Sequence, residues 1–338
     1  MSILVTGGAG YIGSHTLIEL INQGYKNIIS VDNYSNSDES TYARVKEITG
    51  VSVKKYAIDL TDKKSCTRLF EEEKIESIIH FAAFKSVPES VENPLAYYHN
   101  NLGSLVNILD CCREYSCNQL IFSSSCSVYG NSKELPVTEE TVLSKPESPY
   151  AQTKFFGEQI LMDAVKAYSN LRVIILRYFN PVGAHKTGLN GEPASETPNN
   201  LVPYITQTAA GLKEQLQIFG GNYNTKDGTC IRDYIHVSDI ADAHILALSY
   251  LSKMDKQIDI LNLGTGNGVS VLEVVKSFEK VNNLSLNYAI VDRRDGDVEA
   301  VYANNSKAIK LLGWYPKYGL EEMMKSAWKW QLHLAENN

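Results

Sequence analysis

The sequence predicts an α/β fold: a doubly wound parallel sheet joined to a smaller mixed α/β lobe. Three observations predict it. Short apolar, β-branched runs alternate with helix-like stretches six times within about the first 180 residues, the pattern of a parallel sheet covered on both faces. The 338 residues exceed what one hydrophobic core usually supports. The composition, 43% hydrophobic and 21% charged, is that of an ordinary globular chain.

The elements read in order as follows. Ser2 to Thr6 (SILVT) is a buried strand that stops at glycines, and Ile12 to about Asn22 is a helix closed by Gly24. Further strands are expected at Asn27–Asp32, Val51–Ile58, Ile75–Ala82, Gln119–Ser123 and Leu171–Tyr178. Polar helix-like stretches lie between them: Asp62–Glu73, one or two helices over Pro88–Tyr115, and Tyr150–Ser169. After Asn180 the texture changes to a long loop rich in Pro, Gly and Asn, and long loops in compact proteins are often functional. Helices are expected near 201–213, 238–251, 270–280, 305–312 and 319–336. Ile258–Leu263 (IDILNL) reads as another strand of the main sheet. The expected division is therefore residues 1–180 with a return segment near 236–264, against 181–235 and 265–338.

Bulk properties exclude several classes. The net charge is −7 with no basic block, which disfavours nucleic-acid binding. No apolar run reaches the roughly eighteen residues that span a bilayer, and the first residues do not read as a signal peptide. A cytoplasmic location is expected. The six cysteines, Cys66, Cys111, Cys112, Cys117, Cys126 and Cys230, lack metal-ligand spacing and read as thiols packed like small hydrophobes. The seven histidines are scattered, so no metal is expected.

Two constellations carry chemistry. The first is Gly7, Gly10 and Gly13 in a G-x-x-G-x-x-G loop between a strand and a helix. Glycines there permit a tight turn and close approach of backbone to a pyrophosphate, and the helix start offers free amides. Asp32 follows Gly13 by nineteen residues at the end of the second strand. Its carboxylate suits ribose hydroxyls and repels a 2′-phosphate, and no Arg or Lys follows it until Arg44. NAD is therefore expected over NADP, on a Rossmann-type sheet. Asp59 and Leu60 end the third strand, where an adenine could be held, although Asp59 could equally cap the helix after it.

The second constellation is Tyr150 and Lys154, one helical turn apart, preceded by the serines 123–125 at the end of the fifth strand. A lysine cation beside a phenol favours the phenolate and makes tyrosine a usable base. A catalytically silent NAD-binding sensor is the competing class, and the presence of Y-x-x-x-K beside the glycine loop argues against it.

Glycine loop, strand-end serine and Y-x-x-x-K together resemble the extended short-chain dehydrogenase/reductase family. Within it the chain is similar to the UDP-hexose 4-epimerases. The blocks GGAGYIGSHT, DNYSNS, FAAFKSVPESV, YYHNN, IFSSSCSVYG, SPYAQTK, LRYFNPVGAH, PNNLVPYI, RDYIHVSDIADAH and NLGTG carry that similarity from residue 1 to about 330. It implies NAD-dependent interconversion of UDP-glucose and UDP-galactose through a 4-keto sugar, in galactose metabolism. By that resemblance Tyr150 is the base, Lys154 holds the nicotinamide ribose and lowers the tyrosine pKa, and Ser125 relays the sugar 4-hydroxyl proton. Bringing a tyrosine from about 10 to about 7 needs roughly 4 kcal/mol. A cation about 4 Å away in a partly buried site supplies that much.

The resemblance also implies the remaining contacts. Gly7, Gly10, Tyr11, Ile12, Gly13, Asp32, Asn33, Asn36, Ser37, Asp59, Leu60, Phe81, Ala82, Lys85, Asn100 and Tyr178 would join Ser125, Tyr150 and Lys154 around NAD. Phe179, Asn180, Asn199, Asn200, Leu201, Phe219, Arg232, Tyr234, Arg294, Asp297 and Val301 would line the UDP-sugar site with Lys85, Ser125 and Tyr150. Arg232 and Arg294 suit a diphosphate, because a guanidinium fork matches phosphate oxygens. Cys126 and Ser127 stand where related dehydratases carry an Asp-Glu pair, which disfavours dehydration. In relatives restricted to plain hexoses a tyrosine crowds the sugar. An ungapped reading puts Val301 at that place, and a slip of one residue would put Tyr302 there. With Val301 the pocket would also admit UDP-GlcNAc and UDP-GalNAc. A homodimer is expected, with helices near 89–115 and 150–169 packing as a four-helix interface.

Overall fold

The structure, a computed structural model, describes residues 1–193, 198, 200–294 and 297–336. Its centre is a seven-stranded sheet, parallel throughout. The strands are β1 (Ser2–Thr6), β2 (Asn27–Asp32), β3 (Lys54–Ala57), β4 (Ser77–His80), β5 (Gln119–Ser125), β6 (Arg172–Tyr178) and the return strand Ile258–Leu263. Their spatial order is return strand, β6, β5, β4, β1, β2, β3. The chain thus winds outward from β1 to β3, then from β4 in the opposite direction. The crevice at the carboxyl ends of β1 and β4 is the switch point where such sheets bind ligands.

Alternation along the strands splits the core into two layers. Ile3 and Val5 point to one face with Leu17, Leu20, Ile121, Leu248 and Leu261. Leu4 points to the other with Leu105, Ile108, Leu120, Leu161 and Val173. Helices α1 (Tyr11–Asn22), α2 (Thr41–Thr49), α3 (Lys63–Glu72), α4 (Val87–Glu92), α5 (Pro94–Glu114) and α6 (Pro149–Ala167) connect the strands.

The differences from the sequence reading are local. α2 falls in a stretch that carries no clear apolar period, and only Thr41, Tyr42 and Val45 of it are buried. β3 and β4 are shorter than the apolar runs that mark them. β4 stops at His80 because Phe81 and Ala82 turn back to donate to the Thr6 carbonyl (3.1 Å) and hydroxyl (3.2 Å). β5 runs two residues further than expected, so that Ser124 and Ser125 are still in register with Arg177 and Tyr178. Asp59 does not cap α3; Asp62 does, accepting from the Lys64 amide at 3.1 Å.

Beyond Asn180 the remaining sheets are small. Asn180–Val182 pairs with Tyr234–His236, and Leu216–Phe219 with Tyr288–Val291, both in parallel. Ile231–Arg232 lies between Val269–Ser270 and Ala300–Val301. A third core gathers Val202, Ile205, Leu216, Ile218, Phe278, Met323 and Met324 under the helices Leu201–Ala209, Val271–Asn282 and Leu320–Glu336.

Candidate active site

The β1–α1 loop leaves no room for side chains. A Cβ on Gly13 would stand 2.2 Å from the Gly7 carbonyl oxygen, and one on Gly7 would stand 2.8 Å from the Ala82 amide nitrogen. Gly7 also needs its left-handed φ of +70°. Gly10 caps α1 without a capping side chain, and the first helical bond is Ser14 N–H to Gly10 O. The amides of Tyr11, Ile12 and Gly13 are thus left at an open helix start, a ready anion site. The side chain of Tyr11 turns away and donates to the Gly183 carbonyl.

Asp32 sits beneath this loop. Its carboxylate accepts from the Ala9 amide (3.0 Å), the Tyr34 amide (3.0 Å) and the Ser37 hydroxyl (2.8 Å). Arg44, the first cation after it, is directed elsewhere, to Ser40, Thr41 and the Trp330 ring. Nothing basic therefore faces the place of a 2′-phosphate from that helix. Burial pushes Asp59 up, but hydrogen bonds from Thr61 and Asn33 outweigh it and leave the carboxyl lowered. That contact brings Asn33 and Asp59 together at the ends of β2 and β3. Asn33 and Asn36 are exposed, Leu60 is core, and Phe81 packs on His244 at 4.7 Å. His244 in turn bonds the Tyr178 hydroxyl at 2.6 Å.

Tyr150 and Lys154 stand in the first turns of α6, started by Pro149 and capped by Ser148. Lys154 Nζ donates to the Ser123 carbonyl at 2.8 Å and lies 5.9 Å from the centre of the Tyr150 ring. Burial lowers Lys154 to about 8, against the opposing pull of Glu158. Tyr150 differs from the sequence expectation. Burial pushes its phenol up to about 12, and a hydrogen bond with Ser125 only moderates the rise. One Nζ–H of Lys154 is engaged with the Ser123 carbonyl, and burial outweighs what lowers the phenol.

The other predicted residues divide into three groups. Arg232, Arg294 and Asp297 do come together: Asp297 Oδ1 lies 2.9 Å from Arg294 and 3.7 Å from Arg232. Arg294 also covers the Phe219 ring at 5.4 Å, and Phe219, 38% exposed, is not the core residue its type suggests. Phe179 and Val301 share a small cluster with Val128, Tyr129, Val137 and Ala303. Val301 is buried there, whereas Tyr302, the next residue along the strand, lies beside Gly268. Lys85 is held by a carboxylate distant in sequence. It pairs with Glu192 at 2.8 Å, and Asn200 donates to the same carboxylate at 2.9 Å. Tyr234 and Leu201 belong to the third core. Asn180 opens the short strand beside Tyr234. Asn199 lies outside the described residues.

Sequence reasoning missed several residues. Asn101, rather than Asn100, ties the β4 loop to α6 through Phe84 and Thr153; Asn100 donates to it at 2.9 Å. Asp233 gathers Thr265, Gly266 and Ala303 on one carboxylate. Glu158 and Arg177 form a buried ion pair behind the serines. A signal for this pair was available: Glu158 repeats the four-residue spacing of Tyr150 and Lys154, and Arg177 interrupts an apolar strand.

Comparison with known proteins bears on this geometry. Residues 3–264 match the model of the NAD dependent epimerase/dehydratase family. The chain is 49% identical over 331 residues to the UDP-glucose 4-epimerase of Bacillus subtilis, covering 98% of this chain and 97% of that protein. Two crystal structures superpose over the whole of both chains. One is a UDP-glucose 4-epimerase from Stenotrophomonas maltophila with NAD and formylated UDP-arabinopyranose (TM-score 0.97, 43% identity). The other is the enzyme of Bifidobacterium longum with NAD+ and UDP (TM-score 0.95, 46% identity).

Proposed function

The chain belongs to the NAD dependent epimerase/dehydratase family, and on that premise we propose that Ser125, Tyr150 and Lys154 carry out its reaction, NAD-dependent C4 epimerisation of UDP-hexoses. The observation that carries the assignment is the meeting of β5 and α6. The Ser123 carbonyl holds Lys154, and the Ser125 hydroxyl bonds the Tyr150 phenol, at the open end of the sheet. The residues present fit NAD, because the glycine cradle has no space for a Cβ, the α1 amides are open and Asp32 lies below them.

When bound, NAD would supply a hydride acceptor for C4 and, once reduced, a donor to the opposite face of the keto sugar, so C4 is inverted without net oxidation. Tyr150 removes the 4-hydroxyl proton and later returns it, with Ser125 bonded to the phenol as relay. Lys154 supplies the positive charge beside that phenol and a donor for the nicotinamide ribose. Gly7, Gly10, Ile12, Gly13 and Asp32 hold the pyrophosphate and adenosine ribose. Arg232 and Arg294 neutralise the UDP diphosphate, with Asp297 orienting them and Phe219 exposed beneath Arg294. Asn180, Asn200 and Leu201 border the same anchor. Tyr150→Phe should retain NAD and lose turnover by at least a hundredfold, measured as conversion of UDP-galactose to UDP-glucose. Equal turnover would remove Tyr150 from the chemistry.

Val301 supports a wider sugar range. Its small side chain, not that of Tyr302, sits in the cluster with Phe179, which supports admission of a 2-acetamido group. The boundary near residue 180, with the return of residues 236–264, is supported by the return strand's place beside β6 and by the separate third core. A homodimer is supported by exposed apolar side chains on α4 to α6: Val91, Leu95, Val106 and Phe156. Sedimentation at monomer mass would refute it. A cytoplasmic location is supported by six cysteines that all remain free thiols. Among the described residues no helix is long and apolar enough to cross a membrane.

A further inference from the structure

Glu158 is a buried carboxylate with no part in the reaction described above. It follows Lys154 by four residues and Tyr150 by eight, so the three side chains share one face of α6. Arg177 grips it with two donors, Nε to Oε1 at 3.0 Å and Nη2 to Oε2 at 2.7 Å. Their side chains are 2% and 0% exposed. The Ser124 hydroxyl donates to the same carboxylate. Arg177 also donates to the Tyr129 hydroxyl at 3.0 Å, which donates to Asn262 at 2.6 Å.

Three consecutive serines of β5 thus meet three residues of α6 at spacing four. Ser123 receives Lys154 on its carbonyl, Ser124 donates to Glu158, and Ser125 bonds Tyr150. A buried ion pair is seldom better for stability than apolar residues of equal volume. A pair maintained here, one turn from a buried lysine, calls for another reason.

We propose that Glu158 is a positioning residue, whose carboxylate, fixed by Arg177 and Ser124, keeps Lys154 charged and held on the Ser123 carbonyl beside Tyr150. The groups around Lys154 make Glu158 the source of negative charge. His80 on β4 is forced neutral, to about 3, by burial and then by Lys154 itself. Phe122 on β5 presents a ring at 5.3 Å. Burial pushes up the phenols of Tyr150 on α6 and Tyr178 on β6, and the thiol of Cys126 after β5, so all three stay neutral. Arg177 on β6 is positive and spends its charge on Glu158. The inference rests on the reading of Tyr150 and Lys154 as the proton-transfer pair.

The test compares Glu158→Gln and Glu158→Asp with the wild type. Lys154 is titrated by NMR of nitrogen-labelled lysine, and the pH dependence of kcat is measured with UDP-galactose. Glu158→Gln should lower the Lys154 titration by roughly one to two pH units. The alkaline fall of kcat should move by the same amount, with KM nearly unchanged. Glu158→Asp, which keeps the charge, should recover most of the wild-type profile. If Glu158→Gln does not fold because Arg177 is left unpaired, the double variant Glu158→Gln/Arg177→Met removes both charges and should give a shift in the same direction but smaller, because the opposing charge of Arg177 goes with the carboxylate. A folded variant without the carboxylate whose Lys154 titration and pH profile superpose on the wild type overturns the proposal. A wild-type protein without epimerase turnover would refute the catalytic reading instead, while the Lys154 titration would still decide the role of Glu158.

Discussion

Replacing Gly13 by alanine tests the nucleotide cradle with one methyl group. The added carbon would stand 2.2 Å from the Gly7 oxygen, 2.9 Å from Gly8 Cα and 3.0 Å from the Gly7 carbonyl carbon. All three atoms are backbone, so no side chain can swing aside and the loop itself must shift. Overpacking of this kind costs about 1–3 kcal/mol. The distorted segment is also the one that presents the α1 amides, so most of that cost should appear in NAD affinity. At about 1.4 kcal/mol per tenfold, NAD should bind roughly 5- to 150-fold more weakly. Calorimetric titration of NAD into stripped protein measures this, and thermal unfolding without NAD should show a loss of a few degrees. Gly10→Ala is the graded comparison. Its Cβ would meet only the Gly7 oxygen, at 3.2 Å, from an extended backbone with φ −74° and ψ 173°. It should therefore unfold close to the wild-type temperature. Wild-type NAD affinity and unfolding temperature in Gly13→Ala would refute the assignment of this loop as a close-packed cradle.

Two further predictions are independent of the cradle. Burial holds His15 and His80 at about 3, and His236 and His244 at about 4, below the ordinary 6.5. The unfolded chain therefore takes up protons first. Their contribution to stability is complete above pH 6.5 and is lost as pH falls toward 4, by roughly 1 kcal/mol per histidine between pH 6.5 and 5.5. Unfolding temperatures should drop steeply over that interval, and His80→Asn should make the drop shallower; a flat profile would refute the burial argument. For the sugar pocket, the purified protein should convert UDP-GlcNAc to UDP-GalNAc, and Val301→Tyr should abolish that conversion while sparing UDP-glucose. Absence of conversion in the unaltered protein refutes the reading of Val301.

What could be read from sequence follows from which forces are local. The parallel sheet was implicit in the alternation of β-branched runs and amphipathic helices, because such a sheet buries both faces of each strand. The glycine cradle was readable because a φ of +70° and a missing Cβ are demands on a single residue. Lys85 was not readable. Its partner Glu192 lies 107 residues away, and only the folded chain brings the two within 2.8 Å. The cover of Phe219 was equally hidden, since Arg294 reaches its ring from a distant loop. Asp233 shows the limit most clearly. Its four hydrogen bonds come from three residues in two segments more than thirty residues downstream, and nothing in R-D-Y announces that convergence.

The Tyr150 phenol is where local reasoning gave the opposite sign, and the reason bears on how the site works. Spacing placed a cation one turn from the phenol and implied a lowered pKa. The fold adds a cost that spacing does not contain. Tyr150 is half-buried, and Lys154, 5.9 Å from the ring centre, directs one donor to the Ser123 carbonyl. With the phenol near 12 and Lys154 near 8, the site holds a neutral phenol beside a lysine that is still mostly cationic at pH 7. Glu158 then has a definite place in the arrangement. By opposing the burial penalty on Lys154, it keeps the cation available for the moment when the phenolate must be stabilised.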